Sequence, residues 1–124
     1  MNNAVSWFEI PAADLSRAKA FYETILAVDL HPMEFPNGLK MAVFPTEQGG
    51  IGGALAHYPE FYEPGKQGAL VYLNGNPDLG KVLERVDSSG GQVIMPKTQI
   101  SPEYGYMGVF MDTEGNRVAL HSQG

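Results

Sequence analysis

The sequence predicts an α+β fold built from two βαβββ units, each a sheet with one helix packed on its outer face. Three observations predict it. Residues 7–26, WFEIPAADLSRAKAFYETIL, read as a short strand, a capped turn and an amphipathic helix. The same design returns over residues 71–90, VYLNGNPDLGKVLERVDSSG, at an offset of 64 residues that lays Asp14-Leu15 on Asp78-Leu79, Ala18 on Val82 and Tyr22 on Val86. A strand-plus-helix pattern repeated across the two halves of a chain marks a duplicated architecture. Each helix is then followed by short apolar stretches broken by Gly, Pro and Asn, the punctuation of antiparallel strands.

In the first unit, residues 5–10 alternate, with Phe8 and Ile10 on one face and Val5, Trp7 and Glu9 on the other. Pro11 closes the strand, and Asp14 is an N-cap whose carboxylate can accept from the amides of the next turn. Leu15, Ala18, Tyr22, Ile25 and Leu26 form the buried stripe of the helix, with Arg17, Lys19 and Glu23 in water. Residues 31–35 contain Pro32 and suit an edge strand. Asn37-Gly38 is a hairpin dipeptide, residues 39–45 pair back, and the glycine-rich 46–53 is a turn. A strand over 53–57 puts Leu55 and His57 on one face.

Residues 58–67, YPEFYEPGKQ, lack periodicity and read as the connection between units. The second unit opens with a strand over 69–74. Asn76 then caps a helix with Pro77 at its first position, and Leu79, Val82, Leu83 and Val86 form its stripe. Gly90-Gly91 stops it. A strand over 92–95, a polar loop over 96–105, a strand over 106–112, a tight turn and a closing strand over 117–121 complete the unit. The whole of 1–124 is expected to be one domain, with units at about 4–58 and 69–122.

Apolar residues make up 44% and charged residues 18%, as in a globular protein that buries a core. With no Cys, disulfides, thiolate nucleophiles and Cys-ligated zinc are excluded. The net charge of -6 argues against a nucleic-acid partner, which attracts clustered Lys and Arg. No apolar run spans a bilayer and no basic-then-apolar segment opens the sequence, so a cytoplasmic protein is expected. The three histidines, His31, His57 and His121, are too scattered for a helical metal motif.

The D-L-x-x-A-x-x-F-Y helix from Asp14 to Tyr22 and the closing D-x-E-G-N-R-V-A-L stretch from Asp112 to Leu120 together resemble the vicinal oxygen chelate superfamily. That group includes glyoxalase I, bleomycin-resistance proteins, fosfomycin-resistance enzymes and extradiol dioxygenases. The likeness covers nearly the whole chain; Ala27 stands where the first helix usually ends with Gly. It implies paired units whose sheets curl around a cleft. In metal-dependent members His, Gln or Glu ligands sit on the first and last strands of each unit and hold an ion that acts as an electrophile.

Carried onto this chain, those four positions fall on Trp7, Leu55, Val71 and Ala119, none of which is a ligand; the neighbours Phe8, Ala54, Tyr72 and Val118 do not restore the set. No metal and no cofactor are therefore expected. Glu9, His57 and His121 each lie two residues beyond an expected position and are the candidate catalytic groups, a displaced metal site or an acid/base pair. Their plain reading is solvation at the cleft rim. Trp7, Glu9, Leu55, His57, Val71, Ala119 and His121 are the expected cleft lining. Tyr104 and Tyr106 either cover the cleft or pack in the core. The resemblance implies a metal-free binder of a small, partly aromatic molecule, acting as a homodimer. The alternative is a lyase or isomerase of the glyoxalase I type working through Glu9, His57 and His121.

Overall fold

The structure, a computed structural model, describes residues 3–124. In chain order its elements are β1 (Trp7–Pro11), α1 (Leu15–Leu26), β2 (His31–Glu34), β3 (Lys40–Val43), β4 (Gly52–His57), β5 (Tyr72–Asn74), α2 (Leu79–Leu83), a 3-10 turn (Asp87–Ser89), β6 (Gln92–Ser101), β7 (Gly105–Met111) and β8 (Arg117–Ser122). They form two four-stranded sheets with matching orders, β1-β4-β3-β2 and β5-β8-β7-β6. In each, the first strand runs parallel to the last and the remaining pairs are antiparallel. The α+β fold of two βαβββ units is thus present.

Helix α1 begins where the carboxylate of Asp14, itself extended, accepts from Arg17 N at 3.1 Å. It ends at Ala27, whose N–H bonds Glu23 O and whose left-handed backbone (φ 55°) turns Val28 N–H onto the same carbonyl at 3.2 Å. An L-residue there costs about 1–2 kcal/mol relative to an unstrained one, which is why Gly is usual. The buried stripe is Ala18, Phe21, Tyr22 and Ile25. Phe21 joins the expected set because the helix touches more than its own sheet: its ring lies 5.9 Å from that of Phe110 on β7. Each large side chain so buried contributes about 1.5–3 kcal/mol.

Three elements depart from the sequence expectation. Asp78, and not Asn76, caps α2, accepting from Gly80 N at 2.9 Å. Asn76 instead closes the neighbouring turn, its side chain accepting from Gln123 N. The polar stretch expected as a loop is strand: β6 runs to Ser101, with register shifts between Val93 and Met95, Met95 and Thr98, and Gln99 and Ser101. Pro96 cannot donate to a ladder, and an edge strand with bulges is where a proline is accommodated. Strand β5 is also shorter than expected, starting at Tyr72.

The helix-bearing faces of both sheets run into one core that includes Ile10, Ala42 and Leu55 from the first sheet and Leu73, Phe110, Val118 and Leu120 from the second. At its centre Tyr22 stacks edge-on against Phe44 and Phe21 and donates its hydroxyl to Asp112 Oδ2 at 2.6 Å. Burial, then the charge of Asp112 and the bond to it, push the Tyr22 phenol well above its usual range, so it stays a donor. Tyr22→Phe keeps the ring and removes one bond to a buried carboxylate. We expect a loss of about 2 kcal/mol in urea unfolding with an unchanged m-value; a loss under half a kcal/mol would show that water replaces the hydroxyl.

Candidate functional site

Each sheet leaves one face free of helix. On the first, Trp7 and Glu9 stand over β4 and β3, with Ala54, Ala56 and Met41 as their floor. On the second, Tyr72 and Asn74 lie beside Ala119 and His121, with Val109 and Met107 across the ladder. Trp7 lies flat on Gly52: a Cβ there would sit 2.9 Å from its Cζ3. The glycine pair Gly52-Gly53 therefore belongs to β4, where it makes room for the rings of Trp7 and Phe8.

Two residues expected in the cleft line the core instead. Leu55 is fully buried on the helix face, because the parallel register pairs it with Ile10 while Ala54 pairs with Glu9. Val71 packs against the same core, and Tyr72 takes the place that corresponds to Trp7. The reason is a single residue. Asp14 follows Trp7 by seven positions and Asp78 follows Tyr72 by six, so an offset read from the helices is one short for the strands, and one residue inverts a strand's faces.

Glu9, His57 and His121 are not brought together. Glu9 accepts from the hydroxyl of Tyr62 at one oxygen and from Trp7 Nε1 (3.1 Å) at the other. His57 shares the face of Leu55, away from Glu9, and its Nδ1–H donates to Ala12 O at 2.9 Å. His121 is on the open face of the second sheet, where its Nε2–H donates to Tyr104 O. In each ring the nitrogen at the carbonyl carries the proton, since a carbonyl oxygen only accepts. Among the described residues no three His, Asp or Glu side chains are placed to hold a metal ion. The donor chemistry at the family's positions does not fit one either: Trp7, Tyr72, Ala54 and Ala119 offer no imidazole or carboxylate. Of the two tyrosines that flank Gly105, Tyr106 packs on the core and Tyr104 is exposed.

Sequence reasoning missed Tyr62. It lies in the connection between units, yet its ring covers Met41, Ala54 and Ala56 and its hydroxyl reaches Glu9. The signal was the adjacent aromatic pair Phe61-Tyr62 in an otherwise polar, Pro/Gly-broken stretch. Arg117 was also passed over. It shares the open face of Ala119, donates from Nη2 to Gly68 O at 3.1 Å, and has a buried Nε with no hydrogen-bond partner. One shallow hollow borders the second open face and another lies beside the connecting segment. The first, of about 410 Å³, is lined by Tyr72, Asn74, Asn76 and His121. The other, of about 450 Å³, lies among Ala13, His57, Phe61 and Glu63.

The fold is that of a duplicated βαβββ protein with one helix-free face on each sheet. Residues 4–120 match the Glyoxalase/Bleomycin resistance protein/Dioxygenase superfamily, and the chain belongs to that family. A glyoxylase-like domain-containing protein of Didymella fabae is 29% identical over 133 residues, covering 97% of this chain and 94% of its own length. Among solved structures, a glyoxalase/bleomycin resistance protein from a Streptomyces species superposes with a TM-score of 0.67 at 23% identity, over 96% of this chain and 100% of the other. Glyoxalase I from Zea mays gives 0.67 at 17% identity, over 95% of this chain and 44% of that one. These structural likenesses concern the fold. No helix among the described residues is long and apolar enough to cross a membrane.

The Tyr62–Glu9 bond carries a pH signature. The hydrogen bond to Glu9, then burial and the carboxylate's charge, push the Tyr62 phenol up to about 12. A pKa raised in the folded state stabilises it fully below the unfolded value of 10.0, and that contribution is lost as pH rises through about 12. The melting temperature of the protein should exceed that of Tyr62→Phe at pH 9, and the gap should close by pH 12. A gap independent of pH would mean that the two groups are not bonded in solution.

Proposed function

We propose that this chain is a metal-free small-molecule binding protein that takes up a partly aromatic ligand on its open sheet faces and works as a homodimer. The observation that carries the reading is the chemistry of the faces: where metal-dependent relatives hold imidazoles and carboxylates, this chain has Trp7, Tyr72 and alanines, and its one nearby carboxylate, Glu9, is bonded to Trp7 and Tyr62. Exposed aromatic and apolar groups on a sheet face favour binding of a flat ligand or a second protein surface. Trp7, Met33, Tyr72 and Met95 are such groups, at 40–50% exposure. The net charge of -6 favours a cationic ligand. A cytoplasmic address belongs to this reading and agrees with the absence of Cys.

Sedimentation at micromolar concentration should give a dimer, the commonest closed assembly; a monomer at every accessible concentration would remove that part. For the ligand, 1-methylquinolinium is a suitable aromatic cation. We expect it to quench Trp7 fluorescence, and Trp7→Ala to weaken binding about ten-fold while leaving the melting temperature within a few degrees. Nickel, cobalt, zinc or manganese should leave melting unchanged, since an ion bound to the folded state would raise it. Stoichiometric metal lost on replacing Glu9, His57 or His121 with Ala would overturn the metal-free reading.

A further inference from the structure

Tyr62 is held as a ligand would be held. Its ring lies on a floor of Ala54, Ala56 and Met41, and its hydroxyl meets Glu9, the one carboxylate bonded on that face. Two of its three side chains are alanines, both fully buried, with Tyr62, Leu39 and Val43 packed against the group. Trp7 orients the acceptor by donating Nε1–H to the second oxygen of Glu9. The segment that carries Tyr62 belongs to no strand or long helix. One turn anchored on Tyr58 O shapes it, and Gly65 N ties its far end to Asn116. The neighbouring Phe61 meets the ring of Tyr62 edge-on at 5.1 Å and is itself 78% exposed.

We infer that Tyr62 occupies the ligand's place on the first open face, and that the ligand of this face is a phenol, which displaces Tyr62 and takes over its hydrogen bond to Glu9. The inference rests on the reading of the open faces as binding surfaces and adds the class of molecule. A neutral aromatic ring fits an apolar floor, and its hydroxyl satisfies a half-buried carboxylate that would otherwise lose a donor on displacement. The segment is thereby a competitor built into the chain. A tethered group competes at millimolar effective concentration or above, so the closed form lowers the apparent affinity in proportion to its population.

The probe is 4-methylphenol, which reproduces the tyrosine side chain, with toluene as the control that lacks the hydroxyl. Both are followed by Trp7 fluorescence and by NMR of the ligand. Tyr62→Ala should bind 4-methylphenol at least ten-fold more tightly than the unmodified protein and should prefer it to toluene. Adding Glu9→Leu, which removes the acceptor altogether, should abolish that preference. Should Tyr62→Ala fail to fold, Tyr62→Val, which keeps some cover on the floor, carries the same comparison. Equal affinity in the variant and the unmodified protein, or no preference over toluene, overturns the inference. If 1-methylquinolinium still quenches Trp7 in either case, only the phenol assignment falls; if it does not, the binding reading falls with it.

Discussion

The carboxylate of Asp112 is the constraint on which the two halves depend. It is 4% exposed and accepts four hydrogen bonds: from the hydroxyl of Tyr22, from the amides of Glu114 and Asn116, and from the side-chain amide of Asn116. A charge so buried is tolerated only when its lone pairs are filled, and here the donors come from α1 and from the turn between β7 and β8. Asn116 extends the reach, donating to Pro11 O at the end of β1 and accepting from Gly65 N in the connecting segment. One turn of the second unit thus fixes the first helix, the first strand and the start of the approach to β5. Glu114 adds the N-terminus of α1, accepting from Asp14 N and pairing with Arg17.

That knot explains why the closing D-x-E-G-N stretch was readable as a motif while its purpose was not. Each residue has a local turn role, and the partners are about 50 to 105 positions away. The same division runs through the chain. Asp14, the faces of β1 and the helical stripes were legible because short-range periodicity and capping decide them. Strand β4 was not. In GGALAH both faces are buried, alanines against the open side and Leu55 against the core, so alternation gives no signal of which way Leu55 points. The misplacement of Val71 follows from a strand-to-helix connection one residue shorter in the second unit. Tyr62 was invisible to pattern reasoning because an aperiodic segment acquires its meaning from the face it lands on.

The composition of the first open face follows from Glu9. A carboxylate on an apolar surface is costly unless donors reach it, and Trp7 and Tyr62 supply one each. Their rings then have little freedom. Trp7 must lie over β4, which requires Gly52, and Tyr62 must cross β4 and β3, which requires small residues at 54 and 56. One acidic residue thus accounts for Gly52, which the sequence reads as part of a turn, and for the small residues Ala54 and Ala56 in the strand that follows.

The two units repeat in fold and diverge in chemistry. The first face presents a carboxylate with both oxygens engaged and an aromatic ring already in place. The second presents Tyr72, Asn74 and the imidazole of His121 around an open hollow. Farther along the same face is Arg117, bonded to Gly68 O and paired with no carboxylate in the described residues. On equivalent strands one open face is thus acidic and aromatic, while the other carries a phenol, an amide, an imidazole and a cation. That asymmetry arises from side chains on equivalent strands of one duplicated scaffold, so the chemistry of the open faces can change while the buried bonds to Asp112 hold the halves in place.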